Sequence, residues 1–116
     1  METKFRLLLQ EDLAKQLVQN SLATMVSDQT PEMQKKALQL GIAEVAAVVA
    51  IAVGLAKVAK TCVELADIII KWKREHHRER LTILVEGARE DAVLEIDDRM
   101  GPAVLAERIQ VTVTRE

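Results

Sequence analysis

The spacing of apolar residues changes along the chain, and each spacing predicts a different element. Residues 3–10 (TKFRLLLQ) first alternate in part and then become fully apolar, which is typical of a strand. From Glu11 to Val26, apolar residues recur every three or four positions, which predicts a one-sided helix. The segment SDQTP interrupts this pattern, and Pro31 suits the first position of the next helix.

The middle of the chain predicts one long helix from residue 31 to about residue 79, with Gly41 as a position where it could bend. Its apolar residues follow a strict alternation of three and four, which is the seam of a packed helix. A second apolar row beside the seam widens this face enough for two neighbours. The seam consists of Val48, Ile51, Leu55, Val58, Cys62, Leu65, Ile69 and Trp72.

The first part of this helix, residues 45–56, has no polar face. A helix that is apolar all round must be buried all round. The small residues Ala46, Ala50 and Gly54 recur every four positions and allow a close backbone approach. Since no further element of the chain remains to cover this surface, the sequence predicts homo-oligomerisation. The expected interface consists of Val45, Ala46, Val48, Ala50, Ile51, Val53, Gly54, Leu55, Val58, Cys62, Leu65, Ile69 and Trp72.

After Arg80 the apolar period changes to two. Residues 81–86 (LTILVE) and 92–97 (AVLEID) predict a β-hairpin, and residues 108–114 (RIQVTVT) alternate as a final edge strand. The expected fold class is α+β, with helices segregated from a small antiparallel sheet. We expect a single domain over 1–116, divided into strand and helix (1–30), long helix (31–79), and hairpin with final strand (80–116).

Composition narrows the classes of function. Hydrophobic residues make up 49% of the chain and aromatic residues only 2%, which favours close helix packing over a deep ligand pocket. The net charge of −2 argues against nucleic-acid binding, which needs a basic footprint. The single cysteine excludes an intrachain disulfide and fits a reducing compartment. Because the first residues lack the features of a signal peptide, we expect a cytoplasmic protein.

Insertion of the 41–72 helix into a membrane is the main alternative, and it would make the protein inner-membrane associated. The uncharged stretch between Glu44 and Lys57 is twelve residues long. A membrane span needs about 20 apolar residues. The length therefore favours an oligomer over a span.

No motif for catalysis, cofactor binding or metal binding is present, so we expect a non-enzymatic protein with no cofactor. Neighbouring His76 and His77 would point about 100° apart on a helix and would not converge on one metal ion. Cys62 lies on the apolar seam and is expected to be an inert buried thiol.

A basic cluster follows the seam and is a candidate patch for an anionic partner, with Trp72 at its edge. Because Trp72 falls in register with the seam, the sequence favours a solvated helix end for these residues over a binding patch. The cluster consists of Lys71, Lys73, Arg74, Arg78 and Arg80.

The Ala/Val-rich helix ending in KW, the basic exit KREHHRER and the hairpin LTILVEG-ARED-AVLEID together resemble the effector-associated constant component domains of bacterial conflict systems. The resemblance covers residues 40–98. The turn GARED and the segment RIQVTVT depart from the family's pattern. The resemblance implies a non-enzymatic module that works beside an effector protein in defence, and it supplies no catalytic residues.

The sequence therefore predicts a homo-oligomeric assembly or adaptor module. The long helix would carry self-association, and the hairpin would contact an effector protein. Edge strands recruit other chains by backbone pairing, and AVLEID or RIQVTVT could act in that way.

Overall fold

The computed structural model describes residues 2–26, 31–42, 46–87 and 91–114. Strands and helices alternate along most of the chain. In order they are β1 (Glu2–Gln10), α1 (Glu11–Gln19), β2 (Thr24–Met25), α2 (Pro31–Gln39), β3 (Ala46–Gly54), a 3₁₀ turn (Leu55–Lys57), α3 (Val58–Glu75), β4 (Leu81–Glu86), β5 (Asp91–Ile96) and α4 (Pro102–Thr114).

The strands form one five-stranded antiparallel sheet in the order β2-β3-β1-β4-β5. β1 is central and pairs with β3 over its whole length, from Glu2 opposite Gly54 to Gln10 opposite Ala46. β4 and β5 form a hairpin, with Leu81 opposite Ile96. The predicted α+β class, opening strand and C-terminal hairpin are confirmed, and the long helix is confirmed only over the last part of its predicted range, at α3 (Val58–Glu75).

The two faces of the sheet are covered differently. On the first face, α1, α3 and α4 pack over alternate strand residues such as Leu7, Val49 and Ile83, all fully buried. Each such side chain contributes about 1.5–3 kcal/mol through burial. On the second face, α2 and the following turn cover a smaller cluster around Leu8 and Val48. The rest of the second face is open and carries the charged residues of the sheet.

β3 corrects the largest prediction from the sequence. The expected helix over 31–79 consists of two helices, α2 and α3, with a strand between them. β3 lies between β1 and β2 and is buried on both faces from Ala46 to Val49, whereas its later second-face positions, Ala50, Ala52 and Gly54, are small residues that are more exposed. The chain thus buries this segment within its own sheet, and the all-round apolar helix that predicted self-association is wrong.

The last predicted strand is also wrong. Residues 102–114 form α4, whose buried residues Leu105, Ile109 and Val113 recur every four positions. The alternation of RIQVTVT is a local coincidence within this helical spacing. The first helix is shorter than predicted, since α1 ends at Gln19 and the chain returns as β2.

Each of the first three helices ends with a residue in the left-handed conformation: Ser21 (φ 60°), Gly41 (φ 69°) and His77 (φ 49°). The N–H groups of these residues and their successors donate back to the final turn, as in Leu22 to the carbonyl of Leu17 and Ile42 to that of Ala37. This is the Schellman arrangement. Gly41 therefore ends a helix, where the sequence predicted at most a bend.

Candidate functional site: the free edge of the hairpin

Most residues predicted to form an oligomer interface lie in the core of their own chain. Ala50 and Val53 are half-buried, Gly54 and Leu55 are exposed, and Val45 lies outside the described residues. The others face the sheet, the neighbouring helices or the α2 cluster. The buried set is Ala46, Val48, Ile51, Val58, Cys62, Leu65, Ile69 and Trp72.

The predicted basic patch is divided by the fold. Lys73 is only 3% exposed, and its Nζ lies 2.6 Å from Asp98 Oδ1. The Arg78 guanidinium lies over the Trp72 ring, 5.6 Å from its centroid. The remaining members, Lys71, Arg74 and Arg80, are exposed at the end of α3 and in the following loop. Lys73, Arg74 and Arg78 line one shallow cavity together with the acidic Glu79 and Asp98, so basic and acidic groups are mixed there.

Cys62 and His76 belong to residue types that often take part in catalysis, and each packs against neighbouring residues in the fold. Burial raises the pKa of the Cys62 thiol to about 11, so the reactive thiolate is scarce at neutral pH. His76 stacks on Trp72 with ring centroids 4.2 Å apart, and its Nδ1 lies 2.9 Å from the Trp72 carbonyl oxygen. His77 occupies the left-handed position after α3.

β5 is the outer strand of the sheet, and its outer edge has no strand partner among the described residues. Alternate residues of such a strand direct their backbone N–H and C=O groups away from the sheet. On the open second face, β5 presents Asp91, Val93 and Glu95, all exposed. On the first face its side chains, including Leu94, turn toward α4. This edge is the hairpin surface that the sequence predicted for partner binding.

α4 borders the same edge and forms a groove with β5. The groove has a volume of about 430 Å³. Val104 and Val111 lie on one stripe of α4 and are 45% and 51% exposed, which is high for large apolar side chains. Glu107 and Arg108 place one charge of each sign beside them. The full lining is Leu94, Val104, Glu107, Arg108, Val111 and Thr112.

The charge of the β5 edge decides which strand can pair with it. In a two-fold antiparallel pairing of two copies centred on Val93, Asp91 of each copy would face Glu95 of the other. Like charges directly opposite on a sheet are destabilising. Asp91 has one weak ion pair, with Lys36 at 3.9 Å, and both side chains remain about half exposed. The edge therefore favours a strand that carries basic side chains over a second copy of itself.

The sequence did not single out the α4 wall, because residues 108–114 were interpreted as a strand. The four-residue spacing of Leu105, Ile109 and Val113 after Pro102 is the signal that indicates a helix. On such a helix Val104 and Val111 lie outside the buried stripe, and exposed apolar side chains of this kind indicate an interaction surface.

The fold and this site define a small α+β protein with a free strand edge and an adjoining apolar groove. Comparison of the chain with protein-family models, curated proteins and solved structures gives no match. Across residues 2–26, 31–42, 46–87 and 91–114, no helix is both long and apolar enough to cross a membrane. The same residues contain no group of three or more His, Cys, Asp or Glu side chains placed to hold a metal ion.

Proposed function

We propose that the protein is a non-enzymatic adaptor module that binds an extended segment of another protein by adding it as a strand to β5. The observation that carries this proposal is that the outer edge of β5 has no strand partner in the part of the chain that the structure describes, and that the exposed Val104–Val111 stripe of α4 lies beside it. Main-chain hydrogen bonds to the edge supply affinity, and side-chain contacts on the two faces supply specificity.

The two faces of β5 favour different side chains in the partner segment. A strand added to β5 directs alternate side chains toward α4, where Val104, Val111 and Leu94 offer apolar contact. The intervening side chains lie beside Asp91 and Glu95, which favour lysine or arginine. The expected partner segment is therefore extended and alternates apolar with basic residues.

The biological setting that we propose for this module rests on its resemblance to effector-associated constant component domains. We propose that the partner segment belongs to an effector protein of a bacterial conflict system. The helix carrying Trp72 and the hairpin that follows it support this setting, whereas residues 46–54 of the Ala/Val-rich segment form β3 and depart from the helix on which the resemblance also rests. We place the module in the cytoplasm because Cys62 is a free, buried thiol, which fits a reducing compartment.

Titration with a capped peptide of alternating lysine and valine tests the binding mode directly. We expect saturable binding, followed by fluorescence anisotropy of a labelled peptide, that weakens as salt screens the β5 carboxylates. The double variant Asp91→Lys/Glu95→Lys should weaken binding by about tenfold, since each attractive cross-strand pair becomes repulsive. The same variant should gain affinity for a peptide of alternating glutamate and valine.

Two control variants separate this site from general charge and surface effects. Asp67 is exposed on α3, so Asp67→Lys changes the net charge without touching β5. Val63 is 48% exposed on α3, so Val63→Ser matches Val111→Ser in chemistry and exposure. We expect weaker binding only from Val111→Ser and from the β5 charge variants. Equal affinity of all these variants for both peptides would contradict the proposal.

A further inference from the structure

A second groove lies on the open face of the sheet, far along β1 and β3 from the α2 cluster. Its volume is about 500 Å³, within the range of small-molecule sites. Lys4 and Arg6 of β1 form one side, and residues 21–24, which connect α1 to β2, form the other. Ala50 and Ala52 of β3 form the floor between them.

The register of the sheet places two cations beside two alanines of this face. Arg6 is directly opposite Ala50, and Lys4 is directly opposite Ala52. Paired residues share a face of the sheet, and the alanine side chains leave the space above β3 empty. The cationic side chains therefore border a space that a ligand can enter.

Neither cation is firmly neutralised. Lys4 lies 3.9 Å from Glu2, and both of these side chains are largely exposed. Arg6 makes no ion pair with a described residue, although Glu86 is directly opposite it on β4. The five N–H donors of the guanidinium remain open to a carboxylate or a phosphate, which they can bind in a bidentate fashion.

The opposite wall supplies hydroxyl groups. Ser21 and Thr24 carry them, while Leu22 and Ala23 between them pack against the core of the first face. The position of this wall is fixed by the end of α1, where Ser21 and Leu22 donate their N–H groups back to Val18 and Leu17. The groove thus has a cationic side, a wall with hydroxyl groups and a short apolar stretch along its floor.

The edge of β3 adds a backbone donor. The Val48 carbonyl accepts from the Val26 N–H, so Val48 directs its backbone groups toward β2, and so do Ala50 and Ala52 by alternation along the strand. β2 begins at Thr24, opposite Ala50, and runs away from Ala52. Ala52 therefore directs its N–H to an edge without a strand partner among the described residues.

We propose that this groove binds a small organic anion. Its carboxylate or phosphate group contacts Arg6 and Lys4, and its short apolar body lies over Ala50 and Ala52. This site is separate from the β5 edge, which is on the far side of β1 and β4.

Titration of the ¹⁵N-labelled protein with two series of probes tests the site. The first series is acetate, butyrate and hexanoate, and the second is methyl, butyl and hexyl phosphate. We expect saturable amide shifts at Thr24, Ala50 and Ala52, with Kd falling by about two- to fourfold for each methylene that becomes buried. Saturation by the carboxylates alone identifies a carboxylate ligand, and saturation by the phosphates alone identifies a phosphate ligand; either result supports the site.

Substitutions assign the binding to the cationic side of the groove. Arg6→Gln should weaken binding of hexanoate or hexyl phosphate by about tenfold or more, since it removes a bidentate charged partner. Lys60→Gln removes the same charge from an exposed position on α3, over the other face of the sheet, and should leave Kd unchanged. Glu86→Gln should tighten binding, because it removes a carboxylate near the anion. The proposal is overturned if neither series saturates, or if Arg6→Gln binds as tightly as Lys60→Gln with the spectrum of a folded protein.

Discussion

Lys73 and Asp98 form an ion pair between a buried lysine and an exposed aspartate, and this pair links α3 to the turn between β5 and α4. The Lys73 Nζ lies 2.6 Å from Asp98 Oδ1, yet the lysine side chain is 4% exposed and the aspartate side chain 76% exposed. The aspartate thus covers a cation that the fold has removed from water. The pair joins α3 to the hairpin that carries the proposed binding edge.

Removal of the aspartate should destabilise the protein more than removal of the lysine. Asp98→Ala leaves the Lys73 ammonium without its partner and should lower the free energy of unfolding by about 1–2 kcal/mol. Lys73→Met removes the charge while keeping an apolar chain, so it should cost less. Urea denaturation measures both, and Asp67→Ala serves as the control for loss of an exposed carboxylate. Equal stability of Asp98→Ala and Asp67→Ala would show that the pair contributes nothing.

The residues in the left-handed conformation at the ends of α1, α2 and α3 predict opposite changes in stability for substitution to glycine and for substitution of glycine. Ser21 and His77 occupy a conformation that L-residues adopt at a cost, so Ser21→Gly and His77→Gly should each stabilise the protein by about 0.5–1 kcal/mol. Gly41→Ala should destabilise it by about 1 kcal/mol. A Cβ at Gly41 meets nothing within 4 Å, so that loss reports backbone strain alone. Thermal and urea unfolding of the three variants decide whether these signs are right.

Cys62 predicts a loss of stability in alkaline solution. Its pKa is raised by burial from 9.0 to about 11 in the folded chain. The folded thiol therefore stays protonated at a pH where the unfolded thiol ionises, and stability that is complete below pH 9 is lost as the pH rises toward 11. The contribution is at most about 2–3 kcal/mol. Cys62→Ala loses stability at every pH through the cavity it creates, but its unfolding free energy should fall less between pH 9 and pH 11.

The elements that the sequence predicted correctly are those whose apolar pattern fits either a helix or a strand, but not both. The alternation in LTILVE and AVLEID, separated by a polar turn, predicts the hairpin correctly, and the seam from Val58 to Trp72 predicts the buried face of α3. Both segments are largely buried on one side and exposed to solvent on the other, so the period of their apolar residues can be recognised in the sequence.

β3 could not be assigned from its period, because its first half is covered on both faces and the open positions of its second half are small residues, so it is as continuously apolar as a buried helix. The alanines of AAVVAIAVG favour a helix and its β-branched residues favour a strand, and pairing with β1 along its whole length decides for the strand. Gly41 was the clue, since glycine just after a helical pattern is typical of a helix end.

The candidate site was predicted in part. AVLEID was expected to act as a recruiting edge, and β5 is indeed the outer strand of the sheet. The groove beside it depends on α4, which the sequence pattern assigned to a strand. The Lys4–Arg6 groove depends on the pairing of β1 with β3, which no local pattern contains.

The central claim is that a partner segment becomes a sixth strand at β5, and hydrogen exchange tests it most directly. Amide exchange rates of residues 91–96 are measured by NMR with and without saturating Lys–Val peptide. We expect the outward-directed amides, every second residue of β5, to exchange much more slowly when the peptide is bound, because they now donate to its backbone. Peptide binding that leaves all β5 exchange rates unchanged would contradict strand addition.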